Sequence, residues 1–296
     1  MKKNILTKTS IKGLDLNKLV LVIFIITTFL AEPIFGAKVE VQHIYSNAMK
    51  KDIPAIFIIP DSYFHSTKPF PVVYLLHGFD GNYRNWVDLT TVEDLPDLYN
   101  FIIVCPDGDK DSWYFDSPLD SNSQYETHIA EEVVNFTDRN YRTIKSRDGR
   151  AITGLSMGGH GALFLAYRHH DVFGAAGSMS GGVDFRGSKN KYNISKKIGS
   201  FDEYPERWDS LTVINNISNI KKAKLTIIMD CGVNDMFIGM NRAFHDSLLI
   251  AKVPHDYIER PGTHGWQYWN IAVKYQMLFF NEFFNQDNSN QINSGN

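Results

Sequence analysis

Cysteine is almost missing from this chain: Cys105 and Cys231 are the only two in 296 residues. That excludes a disulfide scaffold, and with no paired Cys/His spacing no zinc site is expected. No sign of charge dominates either. Thirty Lys and Arg face 33 Asp and Glu, for a net charge of −3, and no basic block or stripe stands out, so nucleic acid is not an expected partner. No apolar run reaches the roughly 20 residues that a bilayer-crossing helix needs. The longest, "LVLVIFIITTFL" at 19–30, has twelve. Internal repeats are absent, and no Pro/Ser-rich linker interrupts 38–285. With 43% hydrophobic residues, the chain has ample material for one large core.

The two ends read as separate objects. Lys2, Lys3, Lys8, Lys12 and Lys18 lead into the apolar run, and Glu32, Pro33 and the small pair Gly36-Ala37 follow it. This is the pattern of a secretory signal peptide over 1–36, cleaved after Gly36, with an uncleaved anchor as the alternative. The expectation is an exported protein, periplasmic or secreted, with no stable membrane insertion once the signal is removed. At the other end, "NQDNSNQINSGN" is polar and of low complexity, so 286–296 is expected to be a disordered tail.

Between the ends, "KVEVQHIYS" alternates with period two and "IPAIFIIP" is its expected hairpin partner. "FPVVYLLHG", "FIIVCPDG", "RAITGLS", "GAAGSMSG", "KLTIIMDCG" and "HDYIERPG" are short apolar or β-branched runs, mostly closed by a glycine turn. Strands buried on both faces look like this. Helical stretches such as 126–139 and 240–251 separate them. The alternation predicts one α/β domain over 37–285: a mostly parallel, doubly wound sheet with helices on both faces. Residues 184–218, rich in Lys, Asn and Ser, read as an irregular insertion over one face.

One stretch carries chemistry. "GLSMG" (Gly154 to Gly158) fits the G-x-S-x-G nucleophile elbow, with a strand before it and a helix pattern from Met157. Such a turn forces strained backbone angles on the serine and admits only small neighbours. It lifts Ser156 Oγ clear of the sheet and aims the Met157 amide at whatever Oγ attacks. A serine needs a base. His245 sits in mid-helix and His255 at the N-terminal end of the last strand. His264, in "RPGTHGW", lies just past that strand's C-terminal end, where catalytic groups of open α/β sheets gather. It is the expected base. For the orienting acid, "KLTIIMDCGVNDMF" offers Asp230, inside the strand, and Asp235, on the loop; Asp235 is preferred. The second oxyanion donor is expected from the Phe79 amide in "YLLHGFDGNYRNW", with His77 as a structural hydrogen-bonding residue. No cofactor or metal is required.

The segments "LLHGFDGNYRNW", "YETHIAEEVVNFTDRNYRT", "GLSMGGHGAL", "FGAAGSMSG", "CGVNDMF" and "GTHGWQYW" occur in order through most of 70–270. Together they resemble the esterase D-like branch of the α/β hydrolases, which includes feruloyl esterases, tributyrin-type acyl esterases, S-formylglutathione hydrolases and mycolyltransferases. The resemblance implies the α/β-hydrolase fold, a Ser156–Asp235–His264 triad and Phe79 and Met157 as oxyanion donors. S-formylglutathione hydrolases usually carry histidine where Leu155 stands. "GLSMGG" and "GTHGW" sit closer to the feruloyl and short-acyl esterases.

The expected activity is therefore hydrolysis of a short-acyl or feruloyl ester, with a small molecule or a carbohydrate as the alcohol. An acyltransferase or a thioesterase on the same residues is the alternative, and a binding protein on this scaffold would show a broken triad. Trp86, Trp113, Tyr114 and Trp266 are the expected substrate-contacting aromatics. The polar insertion is expected to leave the rim wet and open. Oligomeric state is not legible.

Overall fold

The computed structural model describes residues 36–293, with side-chain surroundings defined through residue 286. The expected signal peptide therefore lies outside the described residues, apart from Gly36. Among the described residues no helix is long and apolar enough to cross a membrane.

All eight apolar runs form strands: β1 (Lys38–Ser46), β2 (Lys51–Ile59), β3 (Val72–Leu76), β4 (Ile102–Pro106), β5 (Arg150–Gly154), β6 (Ala175–Met179), β7 (Thr226–Gly232) and β8 (Asp256–Arg260). They make one sheet in the order β1-β2-β4-β3-β5-β6-β7-β8. β1 and β2 form the antiparallel hairpin, β2 meets β4 antiparallel, and every other pairing is parallel.

The inner strands are apolar on both faces because helices cover both. On β3, Val72, Tyr74 and Leu76 enter one core and Val73 and Leu75 the other. The first core holds the helix Met157–Arg168, with Ala162 to Ala166, and Phe244 and Leu248 of the helix Ile238–Ile250. The second holds Trp86, Tyr268, Trp269, Ala272, Val273, Met277 and Phe280, six residues of the last helix among them. Cys105 and Cys231 are free thiols, buried on strands that are not neighbours.

Two segments differ from expectation. The last helix, Trp266–Asn293, runs through most of the segment read as a disordered tail. Its apolar face carries the helix as far as Phe283 and Phe284, and a helix once nucleated extends at one hydrogen bond per residue. The insertion is less irregular than its composition suggests, since it contains the short helices Ile194–Ile198 and Pro205–Leu211. Trp208, fully buried, pins it to the core, and its indole N–H donates to Gly199 O at 2.9 Å.

His160 ties the elbow helix to this insertion: its Nε2–H donates to the Leu211 carbonyl at 3.0 Å. The ring sits among Trp113, Phe115, Phe164 and Phe185. Burial there lowers its pKa to about 4. The folded state keeps His160 neutral, whereas the unfolded chain protonates it below about pH 6.5. Unfolding thus takes up a proton, and stability is complete above that pH and lost as pH falls toward 4, by up to about 1.4 kcal/mol per pH unit. His160→Gln, whose amide can still reach Leu211, is expected to lower Tm at pH 7 and to flatten its fall between pH 6.5 and 4.5. Thermal melts of both proteins across that range check this; parallel curves would remove His160 as the cause.

Candidate active site

The site grows from the turn between β5 and the helix Met157–Arg168. Ser156 adopts φ 54° and ψ −113°, a conformation that costs an L-residue on the order of 1–3 kcal/mol. The surroundings hold it there. Its N–H donates to Met179 O at 2.9 Å, and its carbonyl accepts from Gly182 at 3.1 Å and His160 at 3.1 Å. Two glycines make the turn possible. A Cβ on Gly154 would stand 2.7 Å from the Gly158 backbone, and one on Gly158 would stand 2.5 Å from His77 O.

Around this turn the structure gathers the residues expected from loops far apart in sequence. His264 Nε2 is 3.0 Å from Ser156 Oγ. His264 Nδ1 is 2.9 Å from each oxygen of Asp235. The geometry assigns the tautomer: Nδ1–H donates to the carboxylate, leaving Nε2 as acceptor for the Ser156 hydroxyl. Trp269 and Phe237 pack edge-on against the imidazole, each ring centroid 4.9 Å away, at 85° and 70°. Burial alone would raise the Asp235 pKa, but hydrogen bonds from His264 and from the Phe237 amide, the latter at 2.7 Å, bring it below the ordinary carboxylate value. Asp235 therefore stays ionised at neutral pH.

Asp230 is engaged elsewhere. It lies fully buried on β7, bonded to Arg260 Nη2 at 2.5 Å and to the Tyr268 hydroxyl. Burial outweighs both partners and raises its pKa.

The Phe79 and Met157 amides lie on the two turns that flank Ser156. Neither donates to another described backbone carbonyl, which leaves both free to stabilise an oxyanion. The two turns are in contact, since a Cβ on Gly78 would fall 3.4 Å from Ser156 Cβ. His77 is buried beneath them, its Nδ1 2.8 Å from Gly78 O and its Nε2 accepting from the Gly108 amide at 2.8 Å. Burial lowers its pKa. It is a neutral strut between two loops and does not line the pocket.

Ser156 and His264 open into a pocket of about 340 Å³, also lined by Phe79, Asp80, Asn85, Tyr192, Met236, Phe237, Trp266 and Trp269. Of the four expected substrate aromatics, only Trp266 is among them. Trp86 is fully buried, its indole N–H donating to Leu76 O at 3.1 Å and its ring against Trp266. Trp113 and Tyr114 both take positive φ, 54° and 61°, and both are buried. The Trp113 indole donates to Tyr192 O at 3.1 Å, and the Tyr114 hydroxyl to His77 O at 3.0 Å. These three aromatics support the pocket from behind. Sequence reasoning missed Tyr192, Met236, Phe237 and Trp269. Met236 and Phe237 stand directly after Asp235, so the acid's own loop pointed to them; nothing in the composition of 184–218 marked Tyr192.

A family model described as putative esterase matches residues 46–279. The chain belongs to this esterase family. Among curated relatives, an acetyl esterase of Caldicellulosiruptor saccharolyticus is 26% identical over 250 residues, spanning 77% of this chain and 92% of that protein. A diacylglycerol acyltransferase/mycolyltransferase of Mycobacterium leprae is 32% identical over 276 residues, spanning 80% and 82%. The chain spans about half the length of the Mycobacterium tuberculosis esterases it also matches. Among solved structures, a ferulic acid esterase superposes with a TM-score of 0.73 at 27% identity, covering 84% of this chain and 99% of that one. The esterase thus has the α/β-hydrolase fold and is a carboxylic ester hydrolase.

Proposed function

We propose that this esterase is an exported serine hydrolase that cleaves short-acyl or feruloyl esters through Ser156, His264 and Asp235. The observation that carries the reading is the unbroken line from Ser156 Oγ to His264 Nε2 at 3.0 Å and from His264 Nδ1 to Asp235 at 2.9 Å. In this reading Oγ attacks the ester carbonyl as its proton passes to His264 Nε2. The Phe79 and Met157 amides stabilise the oxyanion. His264 then gives the proton to the departing alcohol, leaving an acyl group on Ser156. Water, deprotonated by His264, attacks the acyl carbon, the bond to Ser156 Oγ breaks as His264 returns the proton to Oγ, and the acid is released. Asp235 holds the imidazole and balances its charge while it is protonated. The amino-terminal pattern over 1–36 supports export; a secreted mature chain starting near Ala37 is the form it implies.

The pocket favours a small soluble ester. It is compact and mixes polar Asp80 and Asn85 with aromatic walls, which suits a carbohydrate alcohol or a phenolic acyl group. Acetyl to butyryl aryl esters are expected to be cleaved readily and chains beyond about eight carbons poorly, each unaccommodated methylene being a small but cumulative penalty. A panel of chromogenic esters, thioesters and methyl ferulate tests this. Preference for long-chain triglyceride emulsions over soluble short esters would overturn the substrate reading. The mycobacterial acyltransferase relative favours a second reading, in which an alcohol intercepts the acyl-enzyme. Product analysis with added alcohol or sugar separates the two: transfer products exceeding free acid in dilute acceptor would mark a transferase.

A further inference from the structure

Three loops converge on Tyr192 at one end of the pocket, two of them lining it and one standing behind it. The Tyr192 ring meets Phe79, after β3, at 5.5 Å and 74°. It meets Phe237, after β7, at 6.3 Å and 83°. Trp113, after β4, lies 6.3 Å away at 58°. The hydroxyl reaches Met236 Sδ at 3.8 Å. Tyr192 thus bridges the oxyanion turn and the acid loop across one end of the pocket.

Its own backbone is held from below. Tyr192 and Asn193 both take φ 56°, a left-handed pair that persists only when the surroundings impose it. The Trp113 indole donates to Tyr192 O, and the Asn193 amide donates to Asp111 Oδ2 at 2.9 Å. Asp111 in turn pairs with Lys197, a buried lysine of the same insertion, at 2.9 Å. The backbone that carries the ring is therefore held by the Trp113 loop, and the ring itself packs among Phe79, Phe237 and Trp113.

We propose that Tyr192 sets the acyl-length limit of this esterase: its ring stops the apolar end of the pocket, and Trp113 holds it in place. The proposal rests on the serine-esterase reading above. The wall made by Phe79, Tyr192, Met236 and Phe237 is mostly apolar and suits an aliphatic acyl chain. Taking the ring away opens that end toward the Trp113 ring, which lies 6.3 Å behind it.

The test compares kcat/KM for p-nitrophenyl acetate and octanoate in the wild type, Tyr192→Ala, Tyr192→Phe and Trp113→Phe. Tyr192→Ala is expected to raise the octanoate-to-acetate ratio by about tenfold or more, the scale of a few methylenes accommodated. Tyr192→Phe keeps the ring and is expected to leave the ratio within about twofold of wild type. Trp113→Phe removes the donor to Tyr192 O but keeps an aromatic ring, so it raises the ratio in the same direction and by less. An unchanged ratio in Tyr192→Ala, or an equal fall on both esters, overturns the proposal, and so does a Trp113→Phe ratio that moves the other way. Failure of the underlying reading is distinguishable, because it leaves both esters equally hydrolysed by wild type and Ser156→Ala.

Discussion

Ser156→Ala is expected to lower ester turnover by about 10³- to 10⁶-fold while leaving the fold and the pocket in place. The size follows from what the hydroxyl alone supplies. It is the one group at the elbow that can form an acyl intermediate, and His264 Nε2, 3.0 Å away, loses the proton it is placed to receive. What survives is catalysis by positioning and by the two amides, acting on water instead of serine. The fold is expected to tolerate the change because the turn is imposed by backbone bonds to Met179, Gly182 and His160, none of which uses Oγ. Alanine carries the same Cβ through the same strained angles. Steady-state rates on p-nitrophenyl acetate, with thermal melts beside them, check both halves. Turnover within tenfold of wild type in a pure preparation would falsify the elbow reading.

The strands were legible because parallel strands under two helical layers are apolar on both faces and stop at glycine turns. "VVYLL" and "IIVCP" show this with no polar position at all. The Ser156, His264 and Asp235 positions were legible for a related reason: each lies at or just past the C-terminal end of its strand, where the fold opens into a crevice. The pocket wall was not. Sequence places Trp86, Trp113 and Tyr114 on the right loops but says nothing about which way a loop aromatic turns. Trp113 and Tyr114 are two consecutive left-handed residues, both buried, and no pattern in "DSWYFD" announces this. The insertion misled in the opposite sense. Its average composition is polar, yet a single tyrosine in it does the closing, and averaging over a segment erases one residue. The last helix misled as well, because a polar stretch continuing from an amphipathic helix inherits a nucleus that it could not form alone.

The two aspartates of "MDCGVND" are expected to give opposite phenotypes when each is made asparagine. At Asp235 the Phe237 amide donates to Oδ1 at 2.7 Å, so an asparagine there keeps its carbonyl on that N–H and turns its NH₂ toward His264. The imidazole must then accept at Nδ1 and carry its proton on Nε2, facing Ser156, the wrong tautomer for a base. It also loses the negative charge that stabilises the imidazolium. Asp235→Asn is expected to lower kcat by about 10²- to 10⁴-fold at neutral pH, with little change in Tm. Asp230 has no line to His264. It lies beneath Arg260 and Tyr268 and joins β7 to β8 and the last helix. Asp230→Asn leaves the Arg260 guanidinium without a full counter-charge in a mostly buried place, at a cost of about 1–3 kcal/mol in stability. Its turnover, measured on the folded fraction, is expected to stay within about tenfold of wild type, because the groups around Ser156 are untouched. Thermal melts and kcat for both variants, measured side by side, decide the matter. If Asp230→Asn loses turnover by orders of magnitude and Asp235→Asn only stability, the acid has been assigned to the wrong residue, and the 2.9 Å contacts at His264 are structural rather than catalytic.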